Sequence, residues 1–266
     1  MGTKLLRHGM QFLAVFVIIA YANGLSLADD KPTRVQVGGY QFEPFVEGQG
    51  GLSVAFARFL NERQNSYIFD FVEIPARRRY ELLTSGRIDM IFFEMPLWGW
   101  TDVAAEIETT IPLIRGREVF VSRVDHPLRQ QVFDELQKRK IAVTFGYHYA
   151  FSGFESDPDD MREKFDLVFS QSQRHTLRHV LAGNADIAVV NDAFLARELK
   201  TNAGLTDKIL MADRVDQRYE LPLLLRRDSP VELKALNNIL AKVISDGSFN
   251  TFMASQGLAS FSLPSD

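Results

Sequence analysis

The chain has 266 residues, no cysteine and a formal net charge of −4. Without cysteine it is neither a lipoprotein nor a disulfide-stapled fold, so a hydrophobic core of ordinary size must hold it together. The mildly acidic balance offers no basic stripe for nucleic acid.

The first 28 residues read as a secretory signal peptide. Lys4, Arg7 and His8 precede an apolar stretch over 12–22, and Ser26-Leu27-Ala28 places small residues three and one positions before a cut after Ala28. The apolar stretch is too short to span about 30 Å of hydrocarbon comfortably. Roughly 240 residues remain, enough for one large domain or two lobes of ordinary size. Their net charge is about −6, because the leader removes two positive charges and no negative ones. A soluble, exported, periplasmic protein is expected.

Strand and helix signals then alternate. Val35-Gln36-Val37 is a short strand, and Leu52, Ala55, Phe56, Phe59 and Leu60 recur at helical spacing on one face. Residues 67–74 read as a second strand and 79–85 as a helix stopped by Gly86. Residues 88–93 form an apolar run suited to a strand buried on both faces. This βαβαβ order implies a parallel sheet with right-handed crossovers.

A second unit of the same rhythm follows. Residues 118–123 read as a strand, 132–138 as a helix, 140–144 as a strand and 145–149 as a glycine-containing turn. Residues 167–169 and 185–190 read as strands around a helix over 173–182. The segment 219–225 is apolar and extended, an amphipathic helix covers 230–244, and a short one covers 249–256. One lobe interrupted by another needs two chain crossings, for which 118–123 and 214–219 are the candidates.

Five segments together carry a resemblance. They are Gly38-Gly39-Tyr40-Gln41-Phe42-Glu43-Pro44-Phe45 with Gly51-Leu52-Ser53, then Gly86-Arg87-Ile88-Asp89, residues 140–147, Gly183-Asn184-Ala185-Asp186 with the run that follows, and the closing Asp228-Ser229-Pro230 and Ser245-Asp246-Gly247. In this order and spacing the mature chain resembles the periplasmic solute-binding proteins of family 3, the polar amino-acid type. The resemblance implies a two-lobed α/β fold of the type II periplasmic-binding kind, each lobe a mainly parallel sheet flanked by helices, joined by a two-strand hinge. It implies lobe 1 from 29–120 and 218–266 and lobe 2 from 121–217. It also implies a monomer without cofactor that closes on a small polar solute, amino-acid-like or a cationic amine, and hands it to a membrane ABC importer. A sensor reporting to a membrane receptor and a dehydratase-like enzyme are the alternatives on the same fold.

In open α/β sheets ligands sit beyond the carboxyl ends of strands, so the loops there are where contacts are expected. The resemblance places Phe42 where an aromatic stacks on the ligand, and Phe45 is expected in the core. After the run 88–93 the amino-acid binders carry an Arg that forks onto the ligand carboxylate, whereas this chain has Glu94-Met95-Pro96-Leu97-Trp98-Gly99-Trp100-Thr101. An acidic and aromatic loop suits a cation instead: Glu94 pairs an ammonium, and Trp98 or Trp100 offers a π face. Of Arg77, Arg78 and Arg79, at most one or two face the cleft, because successive helical residues point about 100° apart; Arg78 is chosen as a substitute anion clamp. In the second lobe Tyr147 is expected at the ligand, and His148 either there or on the surface. Asp192 is expected as the amine ligand, although the spacing from Asp186 puts Asn191 nearer the usual position. No nucleophile elbow, phosphate loop or metal-spaced His pair is present, so an enzyme is not expected.

Overall fold

The first sheet grows outward from Thr33–Gly39 (β1), whose Val35 and Val37 point into the hydrophobic core and are fully buried. The computed structural model describes residues 31–263, so the leader and its cut after Ala28 lie outside the described residues. β1 pairs in parallel with Tyr67–Glu73 (β2) and with Met90–Ile91 (β3). On the far side of β3, Leu224–Arg226 (β10) runs antiparallel and also pairs with Ile107–Thr109 (β4), giving the order β2-β1-β3-β10-β4. Leu52–Asn61 (α1) buries Leu52, Phe56, Phe59 and Leu60 at spacings of four, three and one, the apolar stripe seen in the sequence. Gly51 before it has φ 93°, and a Cβ there would stand 2.7 Å from the Phe45 carbonyl oxygen, so only glycine fits.

The second sheet sets 166–170 (β7), 140–144 (β6), 187–191 (β8), 114–123 (β5) and 209–221 (β9) side by side in that order. Lys140–Thr144 (β6) pairs in parallel with Asp166–Ser170 (β7) and with Ile187–Asn191 (β8). Ile114–Arg123 (β5) is antiparallel to β8 and to the 13-residue Ile209–Leu221 (β9). Helices Arg79–Thr84 (α2), Pro158–Arg162 (α3), Gln173–Leu181 (α4), Asp192–Thr201 (α5), Leu233–Ser245 (α6) and Ser248–Ser255 (α7) complete the order. The chain leaves the first sheet after Thr109, enters the second at Ile114, and returns between Leu221 and Leu224. The β5–β9 ribbon therefore adjoins both crossings, and its register is irregular at Glu118, Val119 and Val121.

Two local expectations need correction. Residues 132–138 are not an α-helix but two short 3-10 turns, Arg129–Phe133 and Leu136–Lys138. Such a short run lacks the hydrogen bonds to offset helix nucleation, and the burial of Val132, Phe133 and Leu136 alone produced the helical spacing. The apolar run 88–93 contributes only two ladder residues, because Phe93 turns the chain at φ 58°, a left-handed conformation that a bulky residue seldom adopts. No helix among the described residues is long and apolar enough to cross a membrane.

Candidate functional site

Between the two sheets lies a small cavity walled by Tyr40, Phe42, Arg79, Trp98, Glu118, Tyr147 and His148. All but Glu118 arrive from loops after strands or the start of a helix. Tyr40 and Phe42 follow β1, Arg79 begins α2, Trp98 follows β3, Tyr147 and His148 follow β6, and Glu118 projects from the crossover strand β5. Strand parity sets the last of these. Gly116 and Glu118 on β5 share a face with Gln217 and Tyr219 on β9, since Gly116 is opposite Tyr219 and Glu118 opposite Gln217. A Cβ on Gly116 would stand 2.5 Å from the Tyr219 ring, so glycine lets that ring lie flat across the ribbon.

The walls are aromatic and touch one another. Phe42 lies 4.8 Å from Phe45, 5.6 Å from Trp98 and 5.5 Å from Tyr147, the last two edge to face. Several hydrogen bonds tie the first-sheet loops to residues of the second sheet and its loops, four of them close to the cavity. The Tyr147 hydroxyl donates to the Gln41 carbonyl at 2.7 Å, Trp98 Nε1 to Gln217 Oε1 at 3.0 Å, and Asn191 Nδ2 to the Glu43 carbonyl at 2.6 Å. The fourth joins Tyr80 and His148 Nε2 at 2.7 Å. His148 Nδ1 lies 2.6 Å from the Phe154 carbonyl, which can only accept, so Nδ1 carries the hydrogen, while the single Tyr80 hydroxyl proton is shared between His148 Nε2 and the Trp98 carbonyl at 2.8 Å. Burial and the Arg79 charge hold His148 neutral by lowering its pKa to about 4. The cavity left inside is about 10 Å³, the space of a single water.

Two charged side chains face it in different states. Arg79 is 1 % exposed; it donates to the Ala76 carbonyl at 2.6 Å, the Trp98 carbonyl at 3.2 Å and, across the cleft, the Gly146 carbonyl at 3.4 Å. Its guanidinium also lies over the Tyr40 and Tyr80 rings at 4.7 and 4.4 Å, and its Nε faces Glu94 at 3.8 Å. Glu118, by contrast, is 2 % exposed and its Oε2 has no hydrogen-bond partner. Burial pushes its pKa well up, and the nearby Asp216 and Asp192 carboxylates push it further.

Of the residues expected from sequence, Phe42, Trp98 and Tyr147 meet at this cavity. Glu94 is not in it: the turn at Phe93 sends its carboxylate into the core behind, against Arg79, where burial raises its pKa and Arg79 opposes the rise. Trp100 is fully buried as a packing anchor, its ring 4.7 Å from Tyr80. Arg78 points outward to Glu81 at 3.3 Å, and the arginine that turns inward is its neighbour Arg79, one step of about 100° around the helix. Asp192 faces away from the cavity and pairs with Arg117 at 2.8 Å. Asn191 takes the inward position instead, capping α5 by accepting from Phe194 N at 2.7 Å. Glu118 was missed altogether; its only signal was a carboxylate heading an apolar strand.

No family model matches the chain and no curated protein matches it. Solved structures do match. The GluR0 ligand-binding core from Nostoc punctiforme in complex with L-glutamate aligns with a TM-score of 0.65 at 14 % identity, over 84 % of this chain and 98 % of that one. The ancestral amino acid-binding protein AncCDT-1, a precursor of cyclohexadienyl dehydratase, gives 0.63 at 17 % identity over 84 % and 95 %. A putative ABC transporter binding component from Wolinella succinogenes complexed with lysine gives 0.64 at 15 % identity over 83 % and 94 %. At such identities the likeness is one of fold: two five-stranded α/β lobes joined by two crossings, the type II periplasmic-binding fold.

Proposed function

We propose that the chain is a periplasmic solute-binding protein that closes on a small organic cation, an amine, and delivers it unchanged to a membrane ABC importer. The observation that carries this reading is Glu118. A buried carboxylate without a partner is costly, and here it faces Tyr40, Phe42, Trp98 and Tyr147, whose ring faces attract cations. Arg79 supplies no free anion clamp, because its hydrogen bonds go to backbone carbonyls and its charge faces Glu94. An ammonium placed against Glu118 would stabilise its ionised form, which burial disfavours in the empty site, so an amine fits better than an α-amino acid.

Room for a solute requires the lobes to part, and a ligand favours closure only by binding the closed state better. The lobes proposed to move are 29–120 with 218–266 against 121–217. The two sheets exchange chain at 109–114 and 221–224, not within 118–123 and 214–219, which lie inside β5 and β9; the irregular stretch of β5 around Glu118 and Val119 is near the proposed boundary. The protein works as an exported monomer, its leader removed after Ala28.

The test is a thermal shift of the refolded protein against amines, polyamines, quaternary ammonium compounds and α-amino acids. Ligand at about 100 times its dissociation constant adds roughly 2.7 kcal/mol. An amine hit, recovered unchanged and weakened in Glu118→Gln, is expected. A hit recovered as product would establish the enzyme reading, and hits confined to carboxylate-bearing compounds would remove the cation assignment.

A further inference from the structure

Behind the crossover ribbon, on the face opposite Glu118, runs a groove of about 920 Å³, the size of a site for a ligand of several hundred daltons. Leu97 from the loop after β3, Leu195 and Leu199 from α5, Met211 from β9, and Phe261 near the C-terminus give it apolar walls. Leu97 and Met211 are 51 % and 39 % exposed, and they are two of only five large apolar side chains left exposed among the described residues.

The floor is charged. Arg115 and Arg117 alternate onto this face of β5, and Arg218 and Glu220 onto this face of β9. The register sets Arg117 directly opposite Arg218, a like-charge cross-strand pair that disfavours the ribbon by itself. Asp192 is taken by Arg117, through both its backbone N–H at 3.1 Å and its Nε at 2.8 Å. Glu220 lies opposite Arg115. Three arginines against two carboxylates leave one positive charge at the bottom of an apolar trough.

We propose that this groove is a second ligand site, separate from the cleft, that binds a monoanion with an apolar body: a carboxylate whose head meets Arg218 and whose chain lies along Leu97, Leu199 and Met211. The head cancels the surplus charge and relieves the Arg117–Arg218 opposition, and guanidinium matches carboxylate by paired N–H donors. The chain covers side chains that water otherwise contacts. Because β5 and β9 carry Glu118 and Gln217 on their other face, occupancy of the groove also bears on the cleft, and any such coupling is reciprocal.

The experiment is calorimetric titration of the purified protein with octanoate, octanol and octylammonium. One saturable octanoate site is expected, with octanol and octylammonium about tenfold weaker or more, as for loss of a charge-assisted hydrogen bond. Arg218→Ala and Leu97→Asp, both at exposed positions, should each weaken octanoate by a similar factor while leaving the ligand-free melting temperature unchanged. The proposal falls if octanoate shows no saturable binding up to about 1 mM, if the three probes bind alike, or if both variants keep the affinity.

Discussion

Arg79 Nε stands 3.8 Å from Glu94 Oε2 with the two side chains 1 % and 0 % exposed, and this pair forms the back wall of the cleft. Removing one partner of such a pair strands a charge in the core, which costs about 3–5 kcal/mol. Glu94→Ala is therefore expected to destabilise the protein by roughly that amount in urea denaturation. The sequence led to a different expectation, a Glu94 that pairs an ammonium in the cleft, whereas its carboxylate lies in the core against Arg79. The double variant Arg79→Met with Glu94→Leu should lose much less than Glu94→Ala, since neither charge is then left alone. A larger loss in the double variant would show that packing, not charge, governs this wall.

The adjacent arginines should behave as opposites. Arg78 meets Glu81 in solvent, where exposed pairs contribute little, so Arg78→Ala is expected to leave both the unfolding midpoint and ligand affinity unchanged. Arg79→Ala removes the donors to Ala76, Trp98 and Gly146 and leaves Glu94 unpaired. A shift of midpoint in the Arg78 variant, with none for Arg79, would reverse the assignment of which arginine turns inward.

Glu118→Gln separates binding from stability. The variant keeps the shape but not the charge, and amine affinity is expected to fall about tenfold or more. Stability should move the other way. The folded pKa of Glu118 is raised above its ordinary 4.5, so its contribution to stability falls as pH rises above that value. The stability of Glu118→Gln relative to the parent should therefore increase as pH is raised from about 4.5 to 8. Urea curves across that range give the answer, and a constant difference would mean that Glu118 titrates normally.

Acid dependence should reflect two opposed groups. Asp216 accepts from Ala150 N and Phe151 N at 2.8 Å each, and burial raises its pKa to about 6 from 3.8. A raised carboxylate favours the folded state most at low pH, and that contribution declines as pH climbs through this window. His148 is lowered to about 4 from 6.5, so its contribution is present above 6.5 and is lost on acidification towards 4. Relative to the parent, His148→Gln should gain stability as pH falls from 6.5 to 4, and Asp216→Asn should lose it. The same sign in both variants would contradict the assignments.

The hydrogen bonds across the cleft should set how readily it opens. Tyr147→Phe removes the donor to the Gln41 carbonyl, and Tyr80→Phe removes the link to His148. Each bond contributes about 1 kcal/mol. The double variant is expected to show a larger radius of gyration by small-angle X-ray scattering without ligand, and faster ligand release. Identical scattering would place the resistance to opening elsewhere, in the aromatic packing around Phe42.

The sequence by itself determined the order of elements and the faces they bury. Val35 and Val37 in β1, or Leu52, Phe56 and Leu60 in α1, are buried by a periodicity that lies within a few residues of chain. The aromatic residues of the cleft were legible for the same reason, since Phe42, Trp98 and Tyr147 follow strands and such loops line the sites of open α/β sheets. Which charged groups reach the cavity was decided only in three dimensions. One helical step chose Arg79 over Arg78, the backbone turn at Phe93 withdrew Glu94, and the cap at Asn191 turned Asp192 outward. Glu118 became a cleft residue through the pairing of β5 with β8 and β9, strands some 70 and 100 residues away. Side-chain direction at such points depends on single dihedral angles and on the register of distant strands, and neither leaves a local pattern in the sequence.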